Sequence, residues 1–191
     1  TYTTTVLSGG NWTYTLSANA VSKLAEGNLD ITVNVENQSG NSASAGRQVV
    51  VNSQVPAINI NTISGDDMIN SAEHTQPLTI SGTSYGLESG REVTVTINGL
   101  NYTTLVAKDG SWTLDVPANI VSGLADGSYQ ITASASNVAG NSSSANHSVM
   151  VDTMAPSVAI DNVTSDNMLN AEEHANNQVI SGTSNAIGQT I

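Results

Sequence analysis

The sequence predicts an all-β fold in which small β-sandwich domains follow one another in tandem. Two observations carry that expectation. Blocks of sequence return at an offset of one hundred residues. Tyr2-Thr-Thr comes back as Tyr102-Thr-Thr, Trp12 as Trp112, and Asn37-Gln-Ser-Gly40-Asn41 as Asn137-Val-Ala-Gly140-Asn141; Glu73-His74 returns as Glu173-His174, and Ile80-Ser-Gly-Thr-Ser84 as Ile180-Ser-Gly-Thr-Ser184. A period that long exceeds the stacking unit of a solenoid and marks a whole domain copied. Apolar and polar residues also alternate over short runs bounded by Gly and Asn, the pattern of half-buried strands in a sandwich.

The repeat frame sets the domain organisation. Val51-Asn-Ser-Gln-Val-Pro56 and Val151-Asp-Thr-Met-Ala-Pro156 stand at equivalent places. Proline fixes φ and biases its predecessor toward an extended form, so each segment reads as a short, stiff linker. The chain then divides into the back part of a first repeat (1–52), a complete repeat (56–152) and the front part of a third (156–191). Neither terminal piece is expected to bury a full core by itself. Each is structurally incomplete or complements another copy. No signal peptide opens the sequence, which points to a fragment or to export by another route.

Within the complete repeat, Leu78-Thr-Ile80 alternates, and so does Val93-Thr-Val95-Thr-Ile97. Asn98-Gly99 and Asp109-Gly110 are tight-turn signals. Trp112-Thr-Leu114-Asp-Val116 reads as a further strand. The exception to the alternation is Pro117 to Leu124, whose apolar spacing suits one helical turn crossing between sheets. Tyr129-Gln-Ile131-Thr-Ala133 follows, and Val149-Met-Val151 closes the repeat. A Tyr at the start of the penultimate strand resembles the tyrosine corner of immunoglobulin-like sandwiches. The first repeat has Leu29 there, so the device is dispensable. Trp12 and Trp112 are expected in cores rather than on sugar-stacking platforms.

Charge excludes some functions. Sixteen carboxylates face four Lys and Arg, for a formal charge of −12, with no Cys among 191 residues. Nucleic acid is not expected as a partner, because binding it needs a positive surface. Disulfide frameworks are excluded. No apolar run approaches the roughly 20 residues of a membrane span, so no membrane insertion is expected. A catalytic role finds no support either. No Gly-x-Ser-x-Gly precedes a helix, and a glycosidase needs two carboxylates in a cleft, not at a sandwich end.

Several motifs taken together resemble a known family. They are Val-Asp152-Thr-Met-Ala-Pro156, Asp66-Asp67-Met-Ile-Asn70-Ser-Ala-Glu73, Ile80-Ser-Gly-Thr83, Asp109-Gly-Ser-Trp112 and Asn137-Val-Ala-Gly-Asn141. They are similar to the bacterial immunoglobulin-like repeats of giant non-fimbrial adhesins exported by type I secretion. The resemblance covers the whole chain. It implies tandem immunoglobulin-like β-sandwich domains in a calcium-stiffened rod, outside the cell on the bacterial surface. The partners it implies are neighbouring repeats and, through a tip elsewhere in the parent protein, a host cell surface.

The acidic residues are the candidate site. In a seven-stranded sandwich the chain leaves at the pole opposite to where it entered. Asp66, Asp67 and Glu73, the crossover residue Asp126 and the linker residue Asp152 are all expected at that exit pole. Ca2+ takes six to eight oxygens and suits such a set. One or two ions are expected there, held mainly by Asp66, Asp67, Asp126 and Asp152. The bland reading makes Asp66 and Asp67 turn residues and gives Asp126 to the tyrosine corner. Asp126 corresponds to Glu26 and Asp152 to Asn52, so the first joint is expected to bind calcium less well. Asp166 and Glu173 keep the acidity in the third repeat as parts of an incomplete site. His74 and His174 are expected to be structural, Asp109 a turn residue, and His147 has no evident partner.

Two functions fit this reading. One is a spacer whose acidic repeats stay export-competent where calcium is scarce and rigidify where it is abundant. The other is a repeat that itself binds a host glycan or protein, for which Tyr85-Gly-Leu-Glu-Ser89 is the loop to watch.

Overall fold

The computed structural model describes residues 1–191. A short helix, α1 (Ala18–Val21), precedes a hairpin of β1 (Gly27–Glu36) and β2 (Ser42–Val51). Eight strands then build the central repeat: β3 (Ala57–Ile58), β4 (Met68–Ile69), β5 (Leu78–Tyr85), β6 (Glu92–Ile97), β7 (Leu100–Leu105), β8 (Ser111–Val116), β9 (Gly127–Ser136) and β10 (Ser142–Val151). Helix α2 (Ala118–Val121) lies between β8 and β9, as the apolar spacing predicts, with Pro117 as its N-cap. A pair, β11 (Val158–Ile160) and β12 (Gly182–Ser184), follows. No helix is long and apolar enough to cross a membrane.

The central repeat is a two-sheet sandwich. One sheet runs β3-β5-β8, the other β4-β10-β9-β6-β7. All pairs are antiparallel except β4 with β10, which is parallel. Alternation places Val93, Val95 and Ile97 of β6 and Ile131, Ala133 and Ala135 of β9 inward. They face Leu78 and Ile80 of β5 and Trp112, Leu114 and Val116 of β8. Full burial of one Val or Ile side chain stabilises by about 1.5–3 kcal/mol, so these rows dominate the fold.

Two backbone positions make that packing possible. A Cβ on Gly82 would lie 2.0 Å from the Asn59 carbonyl oxygen and 2.4 Å from the Trp112 ring, so only hydrogen lets the indole lie flat on β5. Asn98 and Gly99 both have positive φ (48° and 76°), the geometry that lets a two-residue turn follow the strand twist between β6 and β7. The Tyr129 hydroxyl donates to the Ala125 carbonyl at 3.1 Å, which is the tyrosine corner anticipated from its position.

Burial is confined to one stretch of the chain. All 21 buried residues lie between Pro56 and Val151, and none lies in the pieces before or after. Trp112 is 1% exposed, whereas its repeat mate Trp12 is 47% exposed.

Candidate functional site at the domain joints

The chain enters the central sandwich through residues 52–56 and leaves through 152–155. At the exit pole, β10 runs parallel to β4, and the Asp152 N–H donates to the Ile69 carbonyl at 3.0 Å. The loop after β4 packs on the α2 crossover, where His74 Nε2 hydrogen-bonds the Leu124 carbonyl at 2.8 Å. Residues 70–75, the crossover and the outgoing linker therefore share this pole, and His74 is structural.

The seven acidic residues do not gather as one set. No three His, Asp or Glu side chains come close enough to share a metal ion. Strand direction explains part of this. Val151 pairs with Ile69, so Asp67 lies three residues behind the level of Asp152, roughly 10 Å along the strand. Asp67 therefore stands beside His147, set back from the level of Asp152.

Each of these acids has a local partner. Asp66 accepts the Met68 N–H at 3.0 Å, an Asx turn. Asp67 has φ 63°, and its carboxylate accepts the Ile63 N–H at 2.8 Å. Asn167 repeats that device, with φ 58° and the Val163 N–H at 3.1 Å, because Asp and Asn tolerate the left-handed region and carry a near acceptor. Asp67 also contacts His147 Nε2 at 2.6 Å, which supplies the partner that the sequence left unnamed. The Ile63 N–H first, and His147 second, hold the Asp67 carboxyl below the usual range.

Glu73 and Glu173 belong to a reciprocal exchange. The Glu73 carboxylate accepts the Asn70 N–H at 3.0 Å while Asn70 Oδ1 accepts the Glu73 N–H at 3.1 Å. Glu173 and Asn170 do the same, at 3.1 and 3.0 Å. This has the logic of a capping box, and the Asn-x-x-Glu spacing in both repeats was the signal for it. The Asn70 N–H, with the Ser64 hydroxyl, lowers the Glu73 pKa. Asp166 turns back on Met168 N–H and the Thr164 hydroxyl, which lower its pKa too. Asp109 accepts the Ser111 N–H and hydroxyl as a turn residue.

Asp126 and Asp152 both hold the outgoing linker. Asp126 Oδ1 accepts the Thr153 N–H at 3.0 Å and its hydroxyl at 2.8 Å; Asp152 Oδ1 accepts the Met154 N–H at 3.1 Å. The incoming linker has the same clasp. The Glu26 carboxylate accepts the Ser53 N–H, 3.1 Å from each oxygen, and the Ser53 hydroxyl, while Asn52 Oδ1 accepts the Gln54 N–H at 3.2 Å. Ser53 and Thr153 went unnoticed in the sequence, although a hydroxyl residue follows the Asn or Asp in both linkers. As a donor set for calcium, Asp126 and Asp152 fit. Asp66, Asp67 and Glu73 accept hydrogen bonds within their own loops.

The incoming linker is also gripped from the far side. Asn137 Nδ2 donates to the Gln54 carbonyl at 3.1 Å and Asn141 Nδ2 to the Asn52 carbonyl at 2.9 Å. Asn137 is 1% exposed and is the one polar residue among the buried residues, which are otherwise apolar, Gly or Pro. The loop 85–89 joins this joint, since Glu88 accepts the Val138 N–H at 3.0 Å. A Cβ on Gly86 would lie 3.4 Å from Pro56 Cα. The recurrence of both asparagines in the repeat was the available signal.

Residues 50–153 match the family described as bacterial Ig-like domain. No match was found among curated proteins. Among solved structures, the chain is similar to a Ca2+-stabilized adhesin with which an Antarctic bacterium binds ice, at 28% identity and TM-score 0.46, covering 94% of this chain and 45% of that one. It is similar to part of a 1.5-MDa bacterial ice-binding adhesin, at 29% identity and TM-score 0.49, covering 88% and 56%. A bacterial immunoglobulin-like domain from the M. primoryensis ice-binding adhesin is 33% identical with TM-score 0.41, covering 51% of this chain and 98% of that one. The chain spans about half the length of the first two.

Proposed function

We propose, from the premise that this chain belongs to the bacterial Ig-like domain family, that it is a non-catalytic spacer. It forms a segment of a rod in a secreted bacterial surface adhesin and holds a host-binding tip away from the cell. The proposed units are 1–52, 56–152 and 156–191, with export by type I secretion. The motif resemblance extends to the giant non-fimbrial adhesin of Salmonella. The observation that carries the spacer reading is the treatment of the incoming linker. Glu26 clasps it from one side, and Asn137 and Asn141 grip it from the other. A joint held on both sides transmits orientation from one repeat to the next.

Calcium at the outgoing joint is part of this proposal. Asp126 and Asp152 would hold it, with main-chain carbonyls and water completing the six to eight oxygens such an ion takes. Its chemistry there is charge neutralisation between acids that hold adjacent linker residues. Calorimetry on the chain and on Asp152→Ser tests the site. Heat from the parent and much less from the variant is expected, and a parent that gives no heat ends the calcium proposal. X-ray scattering with calcium and with chelator tests the rod. A longer, stiffer particle is expected with calcium.

One observation favours a repeat that itself binds host glycan or protein: Tyr85, the last residue of β5 at the start of the 85–89 segment, is 83% exposed. Glu88 of that loop serves the joint, so the spacer reading is preferred. Specific glycan-array binding, lost in Tyr85→Ala, would reverse that preference.

A further inference from the structure

The turn at residues 37–41 copies the turn at 137–141 bond for bond. Asn137 Oδ1 accepts the N–H groups of Ala139 at 3.1 Å and Asn141 at 3.0 Å. Asn37 Oδ1 accepts those of Ser39 and Asn41, both at 3.0 Å. Both turns are closed by the same main-chain pair, 2.9 Å from Asn37 N to Asn41 O and from Asn137 N to Asn141 O, and 3.0 Å from each Gly N to the first Asn O. An amide oxygen held by two donors fixes the plane of its carboxamide. The NH2 group must then face away from the turn.

In the central repeat the outward NH2 group of Asn137 meets the Gln54 carbonyl, and the NH2 group of Asn141, at the end of the same turn, meets the Asn52 carbonyl. Carbonyls two residues apart on an extended chain point the same way, so a pair of asparagines can read both. Asn37 and Asn41 carry the same donors in the same frame, and both residues are exposed.

We propose that Asn37 and Asn41 form a second linker socket, whose partner is the exit linker of a preceding repeat in the same chain. The occupant is an extended segment of the 52–56 type, recognised through two main-chain carbonyls and kept extended by the proline that ends it. The socket rests on the tandem-repeat reading and names the contact that the repeat makes upstream. It does not depend on calcium, so the scattering test can fail while the socket stands, and the reverse.

The test uses a chain with residues 50–100 joined directly before Thr1. Because Leu100 precedes the repeat mate of Thr1, this gives the first repeat a front half and a linker in frame. A control begins at Pro56 and lacks the linker. Hydrogen exchange of the Asn37 and Asn41 NH2 groups is read by NMR. The expected result is exchange roughly three- to tenfold slower with the linker than without it, and Asn37→Ala with Asn41→Ala freeing residues 50–55. Equal exchange in the two chains, with Trp12 buried in both, overturns the proposal. Protection in the control that rises with protein concentration also overturns it, because the occupant is then a second molecule. If Trp12 stays exposed, the 191-residue chain is titrated with a peptide of residues 50–56. Selective shifts of the two NH2 signals support the socket, and unshifted signals at millimolar peptide sink it.

Discussion

The first and central repeats share a hairpin and differ in what lies behind it. Strands β1 and β2 pair from Gly27↔Val51 to Glu36↔Ser42, and β9 and β10 from Gly127↔Val151 to Ser136↔Ser142, the same register throughout. Yet Ile31 is 43% exposed where Ile131 is 1% exposed. The hairpin is thus specified locally, by alternation and by the Asn-bounded turn. Its burial is specified from a distance, by strands β3 to β6. The same sequence pattern is a surface in one place and half of a core in the other.

The largest effect that sharpens this contrast is at the tryptophans. Trp112→Ala should cost about 3–5 kcal/mol, as large-to-small changes in packed cores do. Trp12→Ala should stay within about 0.5 kcal/mol, as for exposed sites. Denaturant unfolding of the full chain, followed by far-UV circular dichroism, reads both. Equal losses would break the contrast. Gly82→Ala should approach the first figure, because the new methyl meets backbone as well as indole.

A smaller effect separates the two turns. Asn137→Ala removes a buried carboxamide that serves Ala139, Asn141 and Gln54, at an expected cost of about 1–3 kcal/mol. Asn37→Ala, exposed, should cost less in the same unfolding assay. The reverse order would mean that the joint contributes nothing.

The smallest effect concerns acid. Asp67 has a lowered carboxyl pKa in the folded chain, so its contribution is fully present above the ordinary carboxyl value of about 3.9. It is lost as pH falls through the lowered folded value. Asp67→Asn gives the central loop the residue that the third repeat has at Asn167. Thermal unfolding between about pH 6 and pH 3 should show the parent's advantage over this variant shrinking on acidification. An advantage that grows instead would contradict the sign.

Period-two alternation made most strands legible, and Asn98-Gly99, the α2 crossover and the Tyr129 corner were each readable from residue type and place. Those signals act within a few residues. The acidic site was less legible, because its reading required knowing how far each acid stands along the sandwich. The parallel pairing of β4 with β10 puts Asp67 beside His147, and no local pattern announces a pairing across eighty residues. The capping exchange of Asn70 with Glu73 was written in the spacing, but metal ligands and cap residues draw on the same side chains. The linker grip escaped for another reason. Asn137 and Asn141 stood out in the sequence only as a recurring motif, and their use at the joint begins only when the linker from the preceding repeat passes beside them.

That use at the joint has an evolutionary consequence. Asn137 and Asn141 recognise main-chain carbonyls, which every residue carries, so the side chains of Asn52 and Gln54 are left out of the grip. Unequal crossing-over between repeats would then yield a fitting joint wherever the hundred-residue frame is kept. A gene built from such units can lengthen or shorten by whole copies while keeping the grip, and linker side chains outside the Ser53 and Thr153 clasps are left to diverge toward other tasks.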